Sequence, residues 1–175
     1  MHTEQATSEG DTLYMSIFPT KILLATDGSR EAKLAATTAA DLAKGTGSEL
    51  HVLYVGEAVN PYVEEVGLAG AEAGDFERQA RDLLDAEAEG VRAAGGAVEQ
   101  AHLSRGKVDH AVVTLAEEIG AGLIVLGSRG HGGIRRALMG SVSDAVVRHA
   151  HCPVLVVREL SEKFVVVDSP KRLSY

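Results

Sequence analysis

The sequence predicts an open, doubly wound α/β sheet of five parallel strands in the order 3-2-1-4-5, a Rossmann-like architecture. Three observations carry this. Short apolar runs alternate with segments of helical period along the whole chain. The first run, Lys21-Ile22-Leu23-Leu24-Ala25-Thr26, is apolar almost without interruption, as a strand covered on both faces must be. A glycine-rich stretch follows the fourth run, at the carboxyl end of a strand, where ligands of such sheets bind.

Residues 1–16 are polar, small and without period, and are expected to form a disordered leader, with Met15 a second candidate start. The domain is expected over 17–158, with a C-terminal extension over 159–175. Strand one ends in Asp27-Gly28-Ser29, a turn and helix-start signal. The alanine-rich helix over 29–44 is expected to stop at Gly45 and Gly47. Residues 49–55 form strand two. A longer connection over 56–74, around Asn60-Pro61, reads either as a lid or contact segment or as a disordered loop. Phe76, Ala80, Leu83, Leu84 and Val91 recur at helical spacing, which predicts a helix over 75–93, ended by Gly95-Gly96. Residues 98–103 have the mixed polarity of an edge strand. Val108, Val112, Leu115 and Ile119 line one face of the next helix, which ends near Gly120. Strand four covers 123–126, a helix covers 141–149, and strand five covers 153–157 with Pro153 at its first position, where no ladder donor is needed.

Parallel strands need crossover helices, and crossovers are right-handed in nearly all cases. The strand order then puts strands one and four side by side at the point where the sheet reverses direction. The turn Thr26-Asp27-Gly28-Ser29 and the stretch Gly127-Ser128-Arg129-Gly130-His131-Gly132-Gly133 therefore face one crevice. The second segment runs on to Gly140-Ser141 and a helix start. Glycine lets backbone N–H groups approach an anion, and a helix start adds free donors and a positive dipole end. Phosphate is the natural guest. The stretch is not a P-loop, since Gly140-Ser141 lacks the lysine, and it holds no Gly-x-Gly-x-x-Gly fingerprint.

Composition narrows the class. The chain has 175 residues, enough for one domain with a full core, and 45% hydrophobic residues but only 4% aromatic ones. Its core is therefore built from Val, Leu, Ile and Ala. A net charge of −8 argues against nucleic acid as a partner. No apolar run approaches the roughly 20 residues of a membrane span, and no secretory signal opens the chain. A cytoplasmic location is expected. The single cysteine, Cys152, reads as a small core residue, and the histidines lack metal-ligand spacing.

Asp27 can accept a ribose hydroxyl, approach a phosphate-bound Mg²⁺, or cap the turn, and one carboxylate can do more than one of these. Ser141 and Ser143 can donate to phosphate oxygens, or simply occupy the first turn of a helix. Arg129 can neutralise phosphate charge; Arg135 and Arg136 read rather as a solvated loop face, and His131 as a solvent-facing turn residue.

The pattern Gly127, two residues, Gly130, nine residues, Gly140-Ser141 resembles the nucleotide-binding signature of the universal stress protein family, in its ATP-binding branch. Ala25-Thr26-Asp27 with Ser29 is similar to the family's first motif, and Cys152-Pro153-Val154-Leu155-Val156-Val157 to its final strand. The resemblance spans about residues 21–158 and implies an adenine nucleotide alpha hydrolase-like fold. It implies adenine against Ala25, Thr26 and Val55, ribose on Asp27, and ribose and phosphates along the backbone of Gly127, Arg129 and Gly130. Phosphates would meet Gly140, Ser141, Val142 and Ser143. ATP, or ADP or AMP, with Mg²⁺ is the implied ligand. A homodimer through the last strand, residues 154–157, is implied as well, and the apolar run Phe164-Val165-Val166-Val167 is a candidate addition to that interface. Ala25 departs from the proline that some members carry there.

Three functional readings follow. One is a nucleotide-binding stress-response module read by a protein partner. A second is a slow ATPase or autophosphorylating phosphotransferase. The third is a dimeric scaffold without nucleotide. Phosphoryl transfer needs positioned charge and an oriented nucleophile, and the absent lysine speaks against efficient catalysis.

Overall fold

The computed structural model describes residues 16–56, 69–131 and 139–159. Residues 1–15 of the expected leader, residues 57–68 of the connection, Arg135, Arg136 and the run at 164–167 lie outside the described residues. Strands and helices alternate as β1 (Lys21–Thr26), α1 (Arg30–Thr46), β2 (Glu49–Gly56), α2 (Ala69–Ala93), β3 (Val98–Arg105), α3 (Val108–Ile119), β4 (Leu123–Gly127), α4 (Ser141–His149) and β5 (Val154–Val157). The strands form one parallel sheet in the order β3-β2-β1-β4-β5, as the β-α repeat predicts.

The apolar run of β1 is buried on both faces. Ile22 and Leu24 enter the core shared with α1 and α2, while Leu23 enters the core shared with α3 and α4. Each such side chain, fully removed from water, contributes about 1.5–3 kcal/mol. On β3, by contrast, Glu99 and Gln100 stay exposed, which fits its place at the sheet edge.

Helix α1 starts at Ser29, whose Oγ accepts the Ala32 amide at 3.3 Å. Ala32, Ala35, Ala36, Ala39, Ala40 and Ala43 form its buried face. Methyl side chains let the helix lie very close to the sheet. A Cβ at Gly127, the last residue of β4, would sit 2.9 Å from the Glu31 carbonyl carbon and 3.0 Å from the Ala32 nitrogen. Glycine at 127 is thus required by helix-to-strand packing. The helix runs through Gly45 and stops at Gly47, which takes the left-handed φ of 68°.

Helix α2 starts at Ala69, earlier than the expected residue 75. Gly70 and Gly74 suggest a loop, each costing about 1 kcal/mol in a helix. They alternate with Ala69, Ala71 and Ala73, the best helix formers, and the helix propagates back through them.

Candidate functional site

The register sets the level of the site. Thr26 pairs with Tyr54 of β2, Ala25 pairs with Leu126 of β4, and Gly127 pairs with Val157 of β5. The carboxyl ends of four strands therefore meet at one edge, with Val55, Thr26 and Gly127 side by side. Ala25 and Val55 are half-buried and pack on the α3/α4 core. Thr26 is buried, and its hydroxyl donates to Glu87 Oε2 of α2 at 2.8 Å while accepting the Gly28 amide at 3.2 Å. Gly28 has a φ of 77°, so the turn needs a residue without Cβ.

That turn presents Asp27. Its Oδ1 accepts the Ser29 amide at 3.0 Å, the capping role, and its Oδ2 accepts the His131 amide at 3.1 Å from the loop after β4. A carboxylate offers about four lone-pair directions, so acceptor capacity remains for a hydroxyl. His131 also reaches the Asp27 carbonyl with Nε2 at 2.9 Å. It is exposed, yet it fastens the two segments together. Between them lies Gly130, where a Cβ would overlap Asp27 Oδ2. Gly130 is therefore a close-approach glycine, and neither it, Gly127 nor Gly140 has positive φ.

The backbone of Ser128 and Arg129 is fixed at Ser128 N, Ser128 O and Arg129 O. The Ser128 amide donates to Val157 O at 2.7 Å, and Ser128 O accepts the Gly140 amide at 2.7 Å. The Ser29 hydroxyl approaches Arg129 O at 3.4 Å. The Ser128 hydroxyl donates to Glu31 Oε2 at 2.5 Å. Arg129 Nε and Nη2 both donate to Glu31 Oε1, at 2.9 and 2.5 Å. Burial of Glu31 pushes its carboxyl upward, but hydrogen bonds from Arg129 and Ser128 and the arginine charge outweigh that and hold it below its ordinary value. The guanidinium of Arg129 thus faces α1 in this structure, while the arginine backbone borders the crevice.

Helix α4 begins beside this peptide. Its N-cap is Gly140, which has no side chain to satisfy the helix-start amides. The first intrahelical bond is Asp144 N to Gly140 O at 3.0 Å, so the amides of Ser141, Val142 and Ser143 precede the helical ladder. Ser141 and Val142 are exposed. Ser143 is buried, and its hydroxyl is shared between Ser128 O at 2.9 Å and Gly140 O at 3.0 Å. That hydroxyl serves the loop, and its backbone amide stays with the helix start. Gly140 is tightly seated: a Cβ would lie 3.2 Å from Ser128 O and 3.5 Å from Arg129 Cα.

Two acids escaped the sequence reading. Glu31 lies on the same stripe of α1 as Ala35 and Ala39, and all three are buried. An acid at that spacing on an alanine face must find a cation, which was the available signal. Glu87 of α2 carries no such signal, because it is one of several acids on a mostly exposed helix. Among the described residues no cluster of three or more His, Cys, Asp or Glu has a metal-holding arrangement, and no helix is long and apolar enough to cross a membrane.

A model of the universal stress protein family matches residues 19–158. A universal stress protein of Methanocaldococcus jannaschii is 33% identical over 86% of this chain and 85% of its own length. One from Thermus aquaticus is 38% identical over 78% of this chain and 97% of its own. Among solved structures, the universal stress protein from Archaeoglobus fulgidus in complex with dAMP aligns with a TM-score of 0.58 and 26% identity, over 81% of this chain and 99% of that one. The match covers the sheet, the Asp27 turn and the glycine loop together, and this chain belongs to the universal stress protein family.

Proposed function

We propose that the protein is an adenine-nucleotide-binding regulatory module, with ATP as its ligand and ADP or AMP as alternatives. The observation that carries this is the contact of the Asp27 turn with a loop that ends in a glycine-capped helix start. Two close-approach glycines, Gly130 and Gly140, seat the loop against the Asp27 carboxylate and the helix start against the Ser128–Arg129 backbone. An acceptor for ribose and a set of helix-start donors for phosphate then border one crevice. Adenine would rest against Ala25, Thr26 and Val55. Gly127, Arg129 and Gly130 would contribute backbone, Gly140 would leave room for the phosphates, and Ser141, Val142 and Ser143 would supply the phosphate donors. Mg²⁺ would accompany the phosphates on the Asp27 side. The dAMP bound by the Archaeoglobus fulgidus relative supports an adenine nucleotide.

The same reading includes a cytoplasmic homodimer whose nucleotide state a protein partner senses. Strand β5 ends the sheet and is half-buried along its whole length, an edge of the kind that pairs with a second copy. Light scattering at high concentration is expected to give a dimer, and a monomer would remove this element. Turnover of ATP is expected well below the roughly 1–1000 per second of ordinary enzymes, and a steady-state rate inside that range would replace the binding module with a catalyst.

The direct test is mass spectrometry of small molecules released from protein purified without added nucleotide, followed by calorimetric titration of Mg²⁺-ATP into the emptied protein. Co-purified nucleotide or saturable binding supports the site. Absence of both, with a direct binding assay also negative, would leave a scaffold.

A further inference from the structure

The sequence of the loop offers Arg129 to a phosphate, but the fold gives it to Glu31. Both Nε and Nη2 donate to Glu31 Oε1, the Ser128 hydroxyl occupies Oε2, and Glu31 is only 6% exposed. A phosphate that drew the guanidinium away would leave a charged carboxylate buried with one hydroxyl donor. Breaking a buried pair in this way is strongly unfavourable, so the exchange gains little. The Arg129 backbone, meanwhile, lies against the start of α4, with its Cα 3.5 Å from the position of a Cβ on Gly140. The cation is next to the phosphate donors and is held off them.

We infer that Glu31 is a specificity-determining residue of this site: by retaining Arg129 it keeps that charge out of the phosphate subsite, so that affinity depends only weakly on how many phosphates the nucleotide carries. This rests on the nucleotide reading above. The phosphates are met by backbone amides and the Ser141 hydroxyl, which are neutral donors. A protein of this design senses the presence of adenine nucleotide more than the ratio of triphosphate to monophosphate.

The test compares dissociation constants for AMP and ATP in the parent, in Glu31→Gln, and in Glu31→Gln combined with Arg129→Gln. Glutamine keeps the shape but removes the charge that retains the arginine. The expected result is a preference for ATP over AMP that rises about tenfold in Glu31→Gln, the scale of one charge-assisted hydrogen bond. It should return to the parent value in the double variant, which isolates Arg129 from Arg135 and Arg136. A parent that binds both nucleotides and a single variant with an unmoved ratio overturn the inference alone. A parent that binds neither overturns it together with the nucleotide reading. Should Glu31→Gln fold poorly, the parent supplies the answer by NMR. The Arg129 Nε–H resonance, assigned by its loss in Arg129→Lys, is expected at the same position with AMP and with ATP. Its displacement by ATP alone overturns the inference.

Discussion

Gly130 lies directly against the Asp27 carboxylate, so closely that a Cβ at 130 would overlap Oδ2. The contact joins the β1 turn to the loop after β4, and a side chain at 130 would have to push the carboxylate at 27 aside. Gly130→Ala must displace the carboxylate or the loop, breaking the hydrogen bond from the His131 amide. We expect adenine-nucleotide affinity to fall about tenfold, the scale of one or two lost hydrogen bonds. Titration calorimetry with circular-dichroism melting checks this. An alanine variant with parental affinity would take Asp27 out of the site.

Gly140→Val probes the other close approach. Gly140 has φ −77° and ψ 158°, which any residue adopts, so the cost comes from contact and not from backbone strain. The added Cβ would sit 3.2 Å from Ser128 O, and its two methyl groups would crowd the first-turn amides. Binding is expected to weaken by more than about tenfold, with the fold retained. Equal binding by the variant would show that phosphate does not approach there.

The order of legibility follows from the range of each interaction. Strand order and the crevice were readable because apolar runs and the glycine spacing are local signals. The edge position of β3 was readable from its polarity. The start of α2 is obscured in the sequence, because Gly70 and Gly74 argue for a loop while Ala69, Ala71 and Ala73 sustain the helix. The Arg129–Glu31 pair joins residues 98 apart in sequence, and no local pattern announces which way a guanidinium turns. The role of Ser143 was hidden for the same reason, since its acceptor, Ser128 O, lies 15 residues upstream. Glycines 127, 130 and 140 all lie where a Cβ would press on neighbouring atoms. Their shared reason proved to be close approach, with positive φ confined to turn glycines such as Gly28.

A pair of histidines at the sheet edge gives stability a pH dependence. His51 Nδ1 and His102 Nε2 are 3.0 Å apart with stacked rings, and His51 is buried. One proton serves that contact. Burial, then the neighbouring His51, lowers the His102 pKa below 6.5. The unfolded chain therefore binds more protons than the folded one in the window between that lowered value and 6.5. This contribution to stability is fully present above 6.5 and is lost as pH falls through the folded value. Glu49 Oε2 lies 3.6 Å from His51 Nε2, and Lys21 Nζ lies 4.0 Å from that carboxylate. Urea midpoints at about pH 7.5 and about pH 5.5 should differ more in the parent than in His102→Gln. Equal differences would exclude the pair as the source.

Removal of Glu31 tests the other buried charge. Glu31→Ala deprives Arg129, whose side chain is 22% exposed, and the buried Ser128 hydroxyl of their acceptor. Breaking one partner of a buried pair costs about 3 kcal/mol, so equilibrium urea unfolding should show a loss of that order. The dependence on acid runs in a defined direction. The Glu31 carboxyl is held below its ordinary value of 4.5, so its contribution is present above 4.5 and is lost as pH falls through the folded value. The stability gap between parent and Glu31→Ala should therefore be constant near neutrality and close progressively below 4.5. A gap that persists undiminished in acid would mean that the glutamate acts through packing, with its charge contributing nothing to the clamp on the loop.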